Sequence, residues 1–170
     1  MHLHPKYTRY HITCHQPRGP VMSQAFSPGE KERIRLGREN CACIALRRAT
    51  RSVTRRYDEI LDPCGLRATQ LVILLELAYH GSATLSRLAD LLVMEKSTLS
   101  RNLKPLEARG LLAFQMGEGR HKLVHLTDAG VDKLRQAIPL WIEAQNEARA
   151  RADDADWDTV LDTLDALARG

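Results

Sequence analysis

The chain has 170 residues, with 25 Lys and Arg against 21 Asp and Glu and a formal net charge of +4. That length suits one domain, or one domain with long appendages, and 44% hydrophobic with 27% charged residues is the balance of a soluble globular chain rather than a collagen-like or wholly disordered one. The longest apolar run, Leu71–Leu75, falls far short of the roughly 18 residues that cross a bilayer, so the expectation excludes a membrane protein.

Charge is unevenly spread. Residues 1–21 carry +3, residues 22–120 carry +5 and residues 121–170 carry −4. A basic middle beside an acidic tail suggests that one part meets a polyanion while the other does something else. Cys14, Cys41, Cys43 and Cys64 are too sparse for a disulfide-built secreted scaffold, and the charged, proline-bearing start lacks the apolar stretch of a signal peptide. A reducing cytoplasm is the expected compartment.

Residues 1–29 read as a non-globular leader, holding His2, His4, His11 and His15 with Pro5, Pro17, Pro20 and Pro28. Either it is a disordered extension, or Met22 is the natural start. A metal site from His11, Cys14 and His15 lacks a second spaced pair of ligands, so no metal is expected. From Glu30 to Leu61, Ile34, Cys41, Ile44, Val53, Tyr57, Ile60 and Leu61 recur as on one long amphipathic helix, ended by Asp62-Pro63-Cys64-Gly65. A second helix, about Thr69–Tyr79, is nearly all apolar and so buried on most sides. His80-Gly81-Ser82 ends it.

A short helix over Thr84–Leu92 turns Leu85, Leu88, Ala89 and Leu92 inward, and a brief connection leads to another over Ser97–Arg109. There Leu99, Leu103 and Leu106 share a face, leaving Ser97, Thr98, Ser100, Arg101 and Lys104 largely on the other. Gly110 caps this helix. Pro105 inside it removes a backbone donor and crowds the carbonyl of Arg101, which predicts a bend. Leu111–Met116 and Lys122–Leu126 alternate about a glycine-containing turn, Gly117–His121, as a β-hairpin. Thr127 then N-caps a helix over Asp128–Ala152, with Gly130 in its first turn at a cost in propensity and Pro139 expected to kink its middle. A last helix, about Asp154–Ala168, aligns Trp157, Val160, Leu161 and Leu164.

Two short helices followed at once by a hairpin make a winged helix-turn-helix. A helix fits the major groove of B-DNA; hydroxyls at its N-terminus allow close approach, and its dipole favours phosphates. Arg101 either forks onto a guanine edge or clamps a phosphate. Arg120 and Lys122 at the hairpin tip are placed for a flanking minor groove or backbone. Taken singly each of these is an ordinary solvated residue; their joint order is what selects double-stranded DNA as partner.

At these residues, over about Cys41–Ala168, the chain resembles the MarR family of bacterial transcriptional regulators. The likeness rests on Gly65-Leu66-Arg67-Ala68-Thr69-Gln70, Leu88-Ala89, Ser97-Thr98-Leu99-Ser100-Arg101-Asn102-Leu103, Leu106-Glu107-Ala108-Arg109-Gly110-Leu111, and Arg120 followed by Leu123-Val124-His125-Leu126-Thr127-Asp128-Ala129-Gly130. It departs at Glu118, where the family commonly has Asp two residues before the wing arginine, and at Pro105.

The resemblance implies a mainly α fold with a small β-hairpin wing: a winged helix-turn-helix lobe over residues 63–127, and a helical dimerisation platform from residues 30–62 and 128–170. It further implies a homodimer on pseudo-palindromic operators, with a small effector, aromatic or phenolic, held between platform and lobe. The expected function is a cytoplasmic, effector-responsive repressor, with no cofactor.

Cys41, Cys43 and Cys64 are candidate sensing residues. Three readings stand: small buried residues, a thiol switch responding to oxidants, electrophiles or soft metals, or a cysteine lining a ligand pocket. On a helix Cys41 and Cys43 lie about 200° apart and cannot bond without unwinding, so a disulfide would run to Cys64 or across a dimer. An enzyme is not expected, because no His-and-acid arrangement, phosphate loop or metal motif accompanies the cysteines. A winged-helix module that binds only protein is a further alternative, opposed by the basic and hydroxyl face.

Overall fold

The computed structural model describes residues 26–117, 121–152 and 156–169. The described residues fall into two units that part between Ile44 and Ala45.

In the first unit, helix α1 (Pro28–Glu39) starts at a reciprocal cap. The Glu30 carboxylate accepts from the Ser27 amide at 2.8 Å, and Pro28 occupies the first turn, where its missing N–H costs nothing. No residue of α1 is buried. The expected continuous helix over Glu30–Leu61 is therefore corrected: α1 stops at Asn40, and α2 (Ala42–Leu61) begins after Cys41. Asn40 supplies the reason, because its side-chain amide and its backbone N–H both take the Leu36 carbonyl, at 2.9 and 3.1 Å. The expected leader also ends earlier, at the Ser27 cap.

In the second unit, α2 runs into a 3-10 turn at Asp62–Cys64, and α3 (Ala68–His80) follows. Leu71, Ile73, Leu74 and Leu77 of α3 are buried. They join Leu88 and Ala89 of α4 (Leu85–Leu91), Leu99, Leu103 and Leu106 of α5 (Lys96–Ala108), and Leu134 and Ala137 of α6 (Asp128–Arg151) in one core. No described polar or charged residue is buried in it. The predicted hairpin is present as β2 (Leu112–Met116) and β3 (Lys122–Leu126), with Leu112 opposite Leu126 and Phe114 opposite Val124. Pairing continues to Met116 opposite Lys122, although the Met116 side chain is 68% exposed.

A third strand, β1 (Ser82–Thr84), pairs antiparallel with β3, setting Ala83 against Val124 and giving the order β1-β3-β2. The residues read as a plain helix end are therefore a strand. Three residues are too few to show alternation, and Thr84 also caps α4 by accepting the Arg87 amide at 3.1 Å. Helices α5 and α6 each continue through their internal prolines, Pro105 and Pro139. Helix α7 (Trp157–Arg169) closes the chain without a buried residue.

Candidate nucleic-acid interface

Helices α4 and α5 end in matched ways, the first opening the α4–α5 turn and the second leading into β2. At the end of α5 the Gly110 amide donates to Glu107 at 2.8 Å and the Leu111 amide to Leu106 at 3.0 Å, with Gly110 at φ +67°. At the end of α4 the same pattern recurs: the Val93 amide donates to Asp90 at 3.2 Å and the Met94 amide to Ala89 at 2.9 Å. Here the left-handed position is held by Val93, at φ +48°. Both are Schellman ends, which reverse the chain sharply, and the one at Val93 sets the approach of α5 to α4.

On α5 the three leucines are buried, and the polar residues are distributed as their spacing predicted. Ser97, Arg101 and Lys104 are exposed; Thr98 and Ser100 are half-buried. The Arg101 guanidinium folds back along the first turn, with Nε donating to the Ser97 carbonyl at 3.2 Å and Nη2 to Thr98 Oγ1 at 3.4 Å. It therefore stands over the N-terminal end of α5, where hydroxyls and a cation together suit phosphate or a base edge. Asn102, quoted only as part of a motif, donates to the Thr98 carbonyl at 3.2 Å and lies 3.8 Å from Met94 Sδ, tying α5 to the turn before it. Arg109, also unassigned from the sequence, donates from Nη1 to the Gly65 carbonyl at 2.8 Å and fastens the end of α5 to the loop before α3. Neither contact has a local signal; 44 residues separate Arg109 from Gly65.

On the wing, Lys122 is exposed at the start of β3, its Nζ 4.1 Å above the Phe114 ring. Arg120 lies outside the described residues, as do Glu118 and Gly119.

The cysteines separate by environment. Cys64 is buried, its thiol donating to the Leu61 carbonyl at 3.0 Å. Cys41 is half-buried in the break before α2, and Cys43 is exposed on the first turn of α2. The helical objection to a Cys41–Cys43 bond loses its premise, because Cys41 is not helical. The His11, Cys14 and His15 group lies outside the described residues, and no cluster of three metal-ligating side chains occurs among those described.

Behind the lobe, α2 is fixed to α6. Arg56 makes a two-point pair with Glu147, Nε–Oε2 2.6 Å and Nη2–Oε1 2.7 Å, which holds the Glu147 carboxyl below its ordinary range. The Tyr57 hydroxyl donates to Gln145 at 2.6 Å, and burial pushes its pKa up.

A buried leucine seam beneath a hydroxyl-and-cation face, one Schellman turn from a shorter helix and followed by a three-stranded wing, defines a winged helix-turn-helix protein. The MarR family model matches residues 66–118. The transcriptional regulator MosR of M. tuberculosis, solved in complex with DNA, is 35% identical, with TM-score 0.68 over 76% of this chain and 95% of that one. The organic hydroperoxide resistance transcriptional regulator of Bacillus subtilis is 29% identical over 104 residues, covering 60% of this chain and 71% of its own. MarR of E. coli, solved as a mutant complexed with operator DNA, shares the fold at TM-score 0.68 and 22% identity, over 83% of this chain and 99% of that one. The chain belongs to the MarR family of transcriptional regulators.

Proposed function

We propose that two copies of this chain bind a pseudo-palindromic operator as a repressor, each laying α5 in a major groove with Ser97, Thr98, Ser100, Arg101 and Lys104 towards the DNA and Arg120 and Lys122 of the wing beside it. The observation that carries this reading is the division of α5: Leu99, Leu103 and Leu106 are sealed in the core while Ser97, Arg101 and Lys104 are exposed on the outside. That the M. tuberculosis relative was solved in complex with DNA supports DNA as the partner. For the homodimer, α7 offers Leu161, Leu164 and Leu167, all exposed, on a helix that buries nothing. The platform is residues 30–62 with 128–170, and the lobe residues 63–127. The compartment is the cytoplasm, and no described helix is long and apolar enough to cross a membrane. The reading needs no cofactor; an aromatic or phenolic effector between platform and lobe would shift the spacing of the two α5 helices and lower affinity.

The test is light scattering of the protein with the intergenic duplex upstream of its coding region. Two chains per duplex are expected. Monomeric protein, or no complex at modest ionic strength, contradicts the proposal.

A second reading, in which the stimulus is oxidation, is favoured by the exposure of Cys43 and by the stated role of the B. subtilis relative in organic hydroperoxide resistance. The Cys43 thiolate attacks the distal oxygen of the hydroperoxide; an S–O bond forms, the O–O bond breaks, and the alkoxide leaves as alcohol after taking a proton. The thiol becomes a sulfenic acid, which Cys41 can condense with to a disulfide, releasing water. Cys64, buried and bonded to Leu61, has no part in this step. Peroxide that releases DNA from wild type but not from Cys43→Ser is the expected result; equal release from both overturns the switch.

A further inference from the structure

Helices α1, α6 and α7 each answer an arginine with an acid one turn away: Arg35 bonds Glu32 and Glu39, Arg135 bonds Asp132, and Arg169 bonds Asp165. Helix α2 does so only at Arg56, which bonds Glu59. Over Arg47–Arg56 it sets Arg47, Arg51 and Arg55 at i, i+4 and i+8, with Arg48 three residues before Arg51. Like charges at these spacings repel along a helix face, so the arrangement weakens α2 unless something neutralises it. Among the described residues, Arg56 is the only arginine of α2 in a salt bridge, with Glu147 and Glu59.

Arg48, Arg51, Arg55 and Arg56 converge with Ser52 and Glu59 on one open cavity of about 390 Å³, and Arg151 of α6 joins them from the far end of the chain. Arg56 is spent on bracing α2 to α6, which leaves the guanidinium forks of Arg48, Arg51, Arg55 and Arg151 around the space. Planar forks deliver paired N–H groups to phosphate and carboxylate oxygens, and the volume is that of a small-ligand site.

We infer that the α2–α6 cleft of this chain binds a small multivalent oxyanion, a molecule that carries two or more phosphate or carboxylate groups close together. A single carboxylate would satisfy one fork and leave the rest repelling one another. Bound anion removes the repulsion along α2 and joins α2 to α6 through a second bridge beside Arg56–Glu147, so it also stabilises the fold by mass action.

The test uses the full chain without DNA, so its failure leaves operator binding untouched. Titration calorimetry with sodium tripolyphosphate is run in about 150 mM KCl, with sulfate at matched ionic strength alongside. Expected is one saturable site per chain, far weaker binding of sulfate, and a dissociation constant raised at least about tenfold by Arg51→Gln with Arg55→Gln but unchanged by Arg169→Gln. Should the double variant lose its helical circular dichroism, Arg48→Gln and Arg151→Gln are held to the same criterion. No saturable binding, or equal loss in Arg169→Gln, overturns the site. Binding that emerges only after Asp153→Asn with Asp154→Asn gives the cleft to the chain's own acids and overturns it as well. Competition by a duplex whose own affinity falls with Arg51→Gln and Arg55→Gln assigns the cleft to nucleic acid instead.

Discussion

Gly130 and Leu111 meet with no room between them: a Cβ on Gly130 would fall 1.9 Å from the Leu111 carbonyl oxygen. Around this contact the Thr127 hydroxyl donates to the Gly110 carbonyl at 2.6 Å and accepts the Gly130 amide at 3.1 Å. The start of α6 is thereby clamped to the exit of α5, and the glycine that costs helix propensity is required by the close approach. Gly130→Ala must push α6 and the base of the wing apart. A loss of about 2–3 kcal/mol in urea unfolding is expected, against a gain of at most about 1 kcal/mol from propensity alone. Unchanged or raised stability would contradict the clamp.

Val93 sits where the matching end of α5 has Gly110. A β-branched side chain at φ +48° is strained, and at 72% exposure it recovers little by burial. Val93→Gly is therefore expected to raise stability by about 1 kcal/mol, or about 2–4 °C in Tm for a chain of this size. A lower Tm would show that the Val93 side chain supports the α4–α5 turn in a way its backbone does not reveal.

Helices α3 to α6 and the hairpin were legible because each repeats an apolar period long enough to count, and the end of α5 and the start of α6 carry readable caps, Gly110 and Thr127. The division of α5 into buried Leu99, Leu103 and Leu106 and an outer polar face followed from spacing alone. What was not legible depends on single side chains or distant partners. The break at Asn40 turns on one amide competing for the Leu36 carbonyl, within a segment whose apolar spacing carries on regardless. Strand β1 is specified by β3, about 40 residues away, and not by its own three residues. The Arg109–Gly65 and Arg56–Glu147 bonds pair residues that only the fold brings together.

The Arg56–Glu147 pair gives α2 and α6 an acid dependence of known sign. The hydrogen bond from Arg56 holds the Glu147 carboxyl below 4.5, its ordinary value, so the pair's contribution is present above that pH and is lost as pH falls through the depressed native value. The stability difference between wild type and Glu147→Gln is expected to be measurable at neutral pH and to vanish in acid. A difference that persists in strong acid would mean Glu147 acts by packing rather than by charge. Because both side chains are about one-third exposed, the effect at neutral pH is small.

The most direct measurement is fluorescence anisotropy of the upstream intergenic duplex, titrated with wild type and Arg101→Ala between about 50 and 200 mM KCl. Wild-type affinity is expected to fall linearly with salt on logarithmic axes, and Arg101→Ala to lose about 1–3 kcal/mol of binding while keeping its fold. Wild-type protein that fails to bind, or an Arg101→Ala variant that binds equally well at every salt concentration, would contradict the assignment of α5 as the DNA-reading helix.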